Sequence, residues 1–221
     1  ADWCIVAPHH SFASLPHTDG FIAQVWTGTA KHAHMLGGHP VRDTFSYAFL
    51  EYAAFAGLAA GTGLELWFLT DPVEDAKGAS WKNLRAWYEE TLAAALMFPS
   101  VNRFECTPWP RRVFTGSDKY GGGPIPQDYA TELLTVWSAQ AELPKGNARP
   151  EGTTGSVAFL TSDTLMWRRG LGRDRFTGFL APMLEAVRRG VYARVLPVER
   201  FVEEGFPPED IKVAVANFDA W

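Results

Sequence analysis

The stretch Gly63-Leu64-Glu65-Leu66-Trp67-Phe68-Leu69-Thr70-Asp71-Pro72-Val73-Glu74-Asp75 decides how this chain is read. Its first half is a short apolar run of the length of a buried strand. Its second half is a loop broken by Pro72 and carrying the carboxylates Asp71, Glu74 and Asp75. A helix is expected soon after, with Ser80 as its cap and Trp81, Leu84, Tyr88, Thr91, Leu92, Ala95 and Leu96 as its buried stripe. Strand, acidic loop and helix in that order are how an α/β protein brings reactive groups to the carboxyl end of a sheet.

Upstream, Trp3 to Ala7 reads as a short strand, followed by a loop with His9 and His10. Phe21 to Trp26 reads as a second strand between Asp19-Gly20 and Thr27-Gly28. Asp43 or Thr44 can cap a helix whose apolar residues Phe45, Ala48, Phe49, Tyr52, Phe55 and Ala56 share one face. Downstream, Arg103 to Thr107 is a fourth strand, closed by Pro108-Trp109-Pro110. A loop of about fifteen residues follows, which in a compact protein is more often functional than accidental. Pro126 opens a helix with Tyr129, Leu133, Val136 and Trp137 on one face, a stripe that fades toward Gln140.

The polar, breaker-rich segment 143–154 reads as a linker. A new unit then begins with a strand at Val157 to Leu160. A helix carrying Phe176, Phe179, Leu180, Met183, Leu184 and Val187 comes next. A strand at Tyr192 to Leu196, a short helix over Glu199 to Glu204 and a strand at Ile211 to Val215 complete it.

The element order makes this an α/β protein with parallel sheets covered by helices. Residues 1–142 are expected to form the late strands of a (β/α)8 barrel. Residues 155–221 are expected to open a doubly wound, Rossmann/flavodoxin-like parallel sheet. The chain starts without Met and closes on a strand, which suggests a piece of a longer protein. Read so, it is expected to be inactive alone and to aggregate or oligomerise through unpaired strand edges.

Composition narrows the function classes. The net charge is −5, and no basic stripe stands out, which argues against nucleic acid as a partner. No apolar run approaches the ~18 residues that a membrane helix needs, and no leader segment is visible. The compartment is left open, with the cytoplasm favoured. Cys4 and Cys106 lie in strand-like runs and read as buried thiols. The nine Trp are many for 221 residues, and Trp fills cores or forms flat binding platforms.

Barrel strands offer function at their carboxyl ends. Those ends collect His9 and His10, Gln24 and Trp26, then Trp67, Asp71, Glu74 and Asp75, and finally Glu105, Trp109, Arg111 and Arg112. Paired carboxylates suit cleavage of glycosidic bonds, one protonating the leaving oxygen while the other attacks or activates water. Indole faces suit the C–H faces of sugars.

Asp71 and Glu105 are therefore the leading catalytic candidates, with Glu74 and Asp75 as partners. Trp26, Trp67, Trp109, Gln24, His9 and Arg112 are the candidate substrate-binding residues. Each also has a structural reading: Asp71 before Pro72 is a common turn, Glu74 and Asp75 suit a solvated face, and the Trp residues suit a core. The six His all precede residue 40, but no ligand spacing accompanies them, and neither a metal nor another cofactor is expected.

Four segments carry a resemblance. Asp19 to Thr29, Trp67 to Asp75 and Phe104 to Phe114 resemble the late barrel strands of large bacterial glycoside-hydrolase-like proteins. Gly155-Ser-Val-Ala-Phe-Leu-Thr-Ser-Asp163 resembles the glutamine-amidotransferase-like domain that follows the barrel in family 42 β-galactosidases. The resemblance implies a carbohydrate substrate and a second domain that serves subunit assembly, hence a homo-oligomer. It also implies an acid/base on the fourth barrel strand, upstream of these residues, and a nucleophile near the seventh, where Glu65 and Asp71 stand. The second domain has no nucleophilic Cys and is not expected to act as an amidotransferase. Two rival readings remain: a non-catalytic sugar-binding or assembly protein, and a metal-dependent hydrolase using the histidines.

Overall fold

The computed structural model describes residues 10–25, 34–36, 39–73, 78–107, 109–115, 121–143, 157–163, 180–203 and 211–216. Two small parallel sheets and the helices around them form the fold. The first sheet consists of β1 (Gly20–Gln24), β4 (Glu65–Leu69) and β5 (Phe104–Glu105), side by side in chain order. The second consists of β6 (Val157–Thr161), β7 (Ala193–Pro197) and β8 (Val213–Ala216), with β6 in the middle. No closed barrel is formed among the described residues.

The helices are α1 (His10–Ala13), α2 (Thr44–Ala59), α3 (Trp81–Leu96), α4 (Pro110–Phe114), α5 (Gln127–Ala141), α6 (Leu180–Arg188) and α7 (Val198–Glu203). The expected caps are present. Asp43 accepts from the Ser46 N–H at 2.9 Å, and Ser80 from the Asn83 N–H at 3.3 Å. Each removes one of the orphan donors of a helix start. Pro110 sits in the first turn of α4, where its missing N–H costs nothing.

Strands β2 (His34–Leu36) and β3 (His39–Val41) pair antiparallel as a separate two-stranded sheet. Two local expectations need correction. The loop expected after Trp109 contains helix α4. The stripe of α5 does not fade at Gln140, which is buried beside Tyr129 and Leu133. A buried Gln satisfies the helical spacing but escapes a search for apolar residues. The expected strand at Trp3 to Ala7 lies outside the described residues, as does most of the 143–154 linker.

Helix α2 is the centre of the molecule. Thirteen of its sixteen residues are buried, not one face only. A helix that is apolar all round must be covered all round, and α2 is. Phe49, Tyr52 and Phe55 join Ala23, Phe68 and Phe98 of the first sheet's layer. The same core cluster includes Phe159, Met183, Leu184, Ala193 and Val195 of the second unit.

The two sheets, expected on opposite sides of a domain boundary, therefore share one core through α2. Gly57 makes this contact close: a Cβ there would collide with the Val195 backbone carbonyl. Arg200 of α7 is 4% exposed and donates to the Gly57 carbonyl at 3.1 Å, placing a cation at the carboxyl end of α2. On the far side, Arg188 of α6 reaches the capping residue Asp43 at 3.2 Å.

A second cluster holds the remaining helices together. Trp81, Leu84 and Tyr88 of α3 pack with Val113 of α4 and with Tyr129 and Leu133 of α5. Gly121, at φ +67°, lies against the Trp81 ring where no Cβ would fit, and the Trp81 indole donates to the Gly123 carbonyl at 2.9 Å. The glycine run thus closes the loop over α3.

Candidate functional site

Strand alternation sorts the first sheet's residues onto two faces. Phe21, Ala23, Leu66, Phe68 and Phe104 face the α2 core. Ile22, Gln24, Glu65, Trp67, Leu69, Arg103 and Glu105 fall on the opposite face. The register aligns Gln24 with Leu69 and Leu69 with Glu105 in one row across the carboxyl ends. Ile22 and Trp67 form the row below. Ile22 is 44% exposed, and Gln24, Trp67 and Glu105 are half-buried. Three of the expected site residues, Gln24, Trp67 and Glu105, are thus on one accessible face.

Trp67 is held from one side. The Arg103 guanidinium lies 5.6 Å from its ring centre and is itself paired with both carboxylate oxygens of Glu65 at 2.8 Å. Glu65 is therefore engaged in orienting Arg103 rather than available at the rim. Trp109 and Arg112 repeat the arrangement at the start of α4, with the guanidinium 5.2 Å from the ring. Trp109 is 57% exposed, so its indole presents a flat apolar surface to solvent.

Asp71 has a different setting. It is 6% exposed, and its Oδ1 accepts from the Val73 N–H at 3.1 Å, closing an Asx-type turn around Pro72. The turn is gripped from both sides: Tyr52 donates to the Leu69 carbonyl at 2.8 Å and Tyr129 to the Pro72 carbonyl at 3.4 Å. Burial is the first cause that pushes the Tyr129 hydroxyl far above its ordinary pKa. The Tyr129 phenol thus remains a protonated donor at every physiological pH. Glu74, Asp75, Trp26 and His9 lie outside the described residues.

Two carboxylates escaped the search at strand ends. Glu51 is 3% exposed in the middle of α2, where desolvation and then the Glu51 charge raise the Tyr47 hydroxyl well above its usual pKa. A single acid in an otherwise apolar sixteen-residue helix was its signal. Glu199 accepts from both the Ser162 hydroxyl at 2.8 Å and the Asp163 N–H at 2.7 Å, at the carboxyl end of β6. Asp163 in turn accepts from the His10 and Ser11 N–H groups at the start of α1, at 3.0 and 3.2 Å. These two acids tie the second sheet to the chain's first described helix.

Among the described residues, no group of three or more His, Cys, Asp or Glu side chains is placed to hold a metal ion. No described helix is long and apolar enough to cross a membrane. Comparison with protein-family models, with curated proteins and with solved structures finds no match to this chain.

Proposed function

We propose that the carboxyl-end rim of the first sheet recognises carbohydrate, and that it serves glycosidic-bond cleavage by carboxylate chemistry. The observation that carries this reading is Glu105, Gln24 and Trp67 on one accessible sheet face, in a structure that also exposes the Trp109 indole. Sugars are bound by such a combination, with ring C–H groups on an indole and hydroxyls on amide and carboxylate groups.

Glu105 is the leading catalytic carboxylate. The sequential, parallel order of β1, β4 and β5 with α2 packed on one face supports a barrel-type catalytic unit. The order of the second sheet, with its first strand central, supports a doubly wound unit. An assembly role suits that second unit, because Val213 and Val215 of the edge strand β8 are exposed.

The test is turnover of aryl-glycosides and oligosaccharides by the protein. Glu105→Gln is expected to lower kcat by about 10²–10⁴-fold, the usual worth of a general acid or base. Unchanged turnover in both Glu105→Gln and Asp71→Asn would sink the assignment.

One observation favours a second reading, a non-catalytic sugar-binding protein. Hydrolysis requires two carboxylates, and Asp71 Oδ1 is committed to a buried turn. Glycan binding that survives Glu105→Gln, in a protein without turnover, would select this reading.

A further inference from the structure

Glu65 is the one carboxylate of the strand β4, and the rim gives it no part in chemistry. It opens the strand, four residues before Leu69. The row of Gln24, Leu69 and Glu105 is therefore about 13 Å further along the strand. That backbone separation sets Glu65 apart from the ~5–9.5 Å spacing of paired catalytic carboxyl groups.

Its two oxygens are engaged elsewhere. Oε2 accepts from Arg103 Nη1 and Oε1 pairs with Arg103 Nη2, each at 2.8 Å. The two side chains are 50% and 46% exposed. An ion pair so open to solvent adds little to stability. Its two-pronged geometry does something else: it fixes the plane of the guanidinium as well as its position.

That plane is spent on Trp67. One step back from the Phe68–Phe104 pair, the register sets Arg103 across from Trp67. The guanidinium is over the indole, 5.6 Å from the ring centre. Carboxylate, guanidinium and indole thus form one stack across β4 and β5. Side chains on a strand have two common χ1 settings, so a half-buried indole keeps one tilt only if a neighbour holds it. A guanidinium covering one face does so and leaves the other face for a ligand. Trp67 is one row, about 7 Å, below Glu105.

We propose that Glu65 and Arg103 are a positioning pair for the Trp67 platform, holding one indole face so that the other receives the sugar ring next to Glu105. The inference rests on the carbohydrate reading above and gives Glu65 no covalent step.

The protein labelled with 5-fluorotryptophan provides a fluorine NMR line for Trp67, identified by its loss in Trp67→Phe. Lactose, cellotriose and maltotriose are the probes, and at least one is expected to shift this line with a saturating dose curve. Arg103→Met and Glu65→Gln are expected to move or broaden the Trp67 line of the free protein. Each is expected to weaken Kd about tenfold and to raise KM far more than it lowers kcat. The double variant is expected to bind no more weakly than Arg103→Met, because the two residues act as a unit. Arg103→Lys keeps the charge without the planar fork and is expected not to restore binding. The lines of the other Trp residues report that each variant is folded, and Glu65→Gln carries the test should Arg103→Met fail to fold.

An unchanged Trp67 line and an unchanged Kd in both variants, with turnover still lost in Glu105→Gln, would overturn the positioning pair and leave the carbohydrate reading standing. A kcat lowered about 10²–10⁴-fold in Glu65→Gln at unchanged KM would overturn it in favour of a catalytic Glu65. Absence of both turnover and any saturable shift in the wild type would remove the carbohydrate reading, and this inference with it.

Discussion

Gly57 offers the sharpest test of how the two sheets are joined. In a solvent-facing helix position, Gly→Ala stabilises by about 1 kcal/mol, because Ala is the better helix former. At Gly57 the added methyl would meet the Val195 backbone carbonyl and crowd the Leu196 side chain. A backbone carbonyl in a paired strand cannot rotate away, so either α2 or β7 must shift. Overpacking of this kind costs about 1–3 kcal/mol, and contact with paired backbone belongs at the upper end. The net expectation for Gly57→Ala is a loss of about 2 kcal/mol. At ~2–4 °C per kcal/mol for a chain of this size, Tm should fall by about 4–8 °C. Urea and thermal unfolding monitored by circular dichroism measure it. A variant that is more stable than the wild type by about 1 kcal/mol would refute the contact, and with it the shared core.

Arg200→Met removes the buried guanidinium that binds the Gly57 carbonyl at 3.1 Å. It should cost about 1.5–3 kcal/mol, the worth of a charged hydrogen bond, in the same unfolding assay. Asp71→Asn retains an acceptor for the Val73 N–H and should cost under about 1 kcal/mol, whereas Asp71→Ala should cost about 1–3 kcal/mol; equal losses would show that the turn does not use this oxygen. Trp109→Ala should leave stability within about 0.5 kcal/mol, since the indole is 57% exposed, but should weaken glycan binding measured by calorimetry. Burial raises the Cys106 thiol above its ordinary pKa. Its alkylation rate should therefore climb with a pH midpoint above the ~8.5 of a free thiol, and a midpoint at or below that value would contradict the buried setting.

Much of the fold was legible because local signals and packing agree. Asp43 and Ser80 announce their helices as caps, and within the run Leu64 to Leu69 the strand forms over Glu65–Leu69. What was missed involved partners distant in sequence. The spacing of Phe45, Phe49 and Tyr52 predicted one buried face for α2. Tyr47, Leu50 and Leu58 are equally buried, because the second sheet covers their side. No periodicity within 44–59 can announce a sheet that begins a hundred residues later. Helix α4 escaped because Pro108 and Pro110 read as loop markers, although Pro in a first turn is also a helix start.

The candidate site shows the same division. The strand ends could be found in the sequence, and Gln24, Trp67 and Glu105 do share a face. Which carboxylate stays at that face could not be read, because an acid after a strand has two competing uses. Asp71 is followed by Pro72, whose ring fixes φ and leaves the Val73 N–H in need of an acceptor. The nearest acceptor is Asp71 Oδ1, and the local bond forms. Glu105 has no such neighbour: its carbonyl accepts from the Thr70 N–H at 3.0 Å, and the strand projects its side chain onto the row with Gln24. In the function proposed above, chemistry at this rim would therefore centre on Glu105. Any second carboxylate must come from a position that is not locked into a turn of its own.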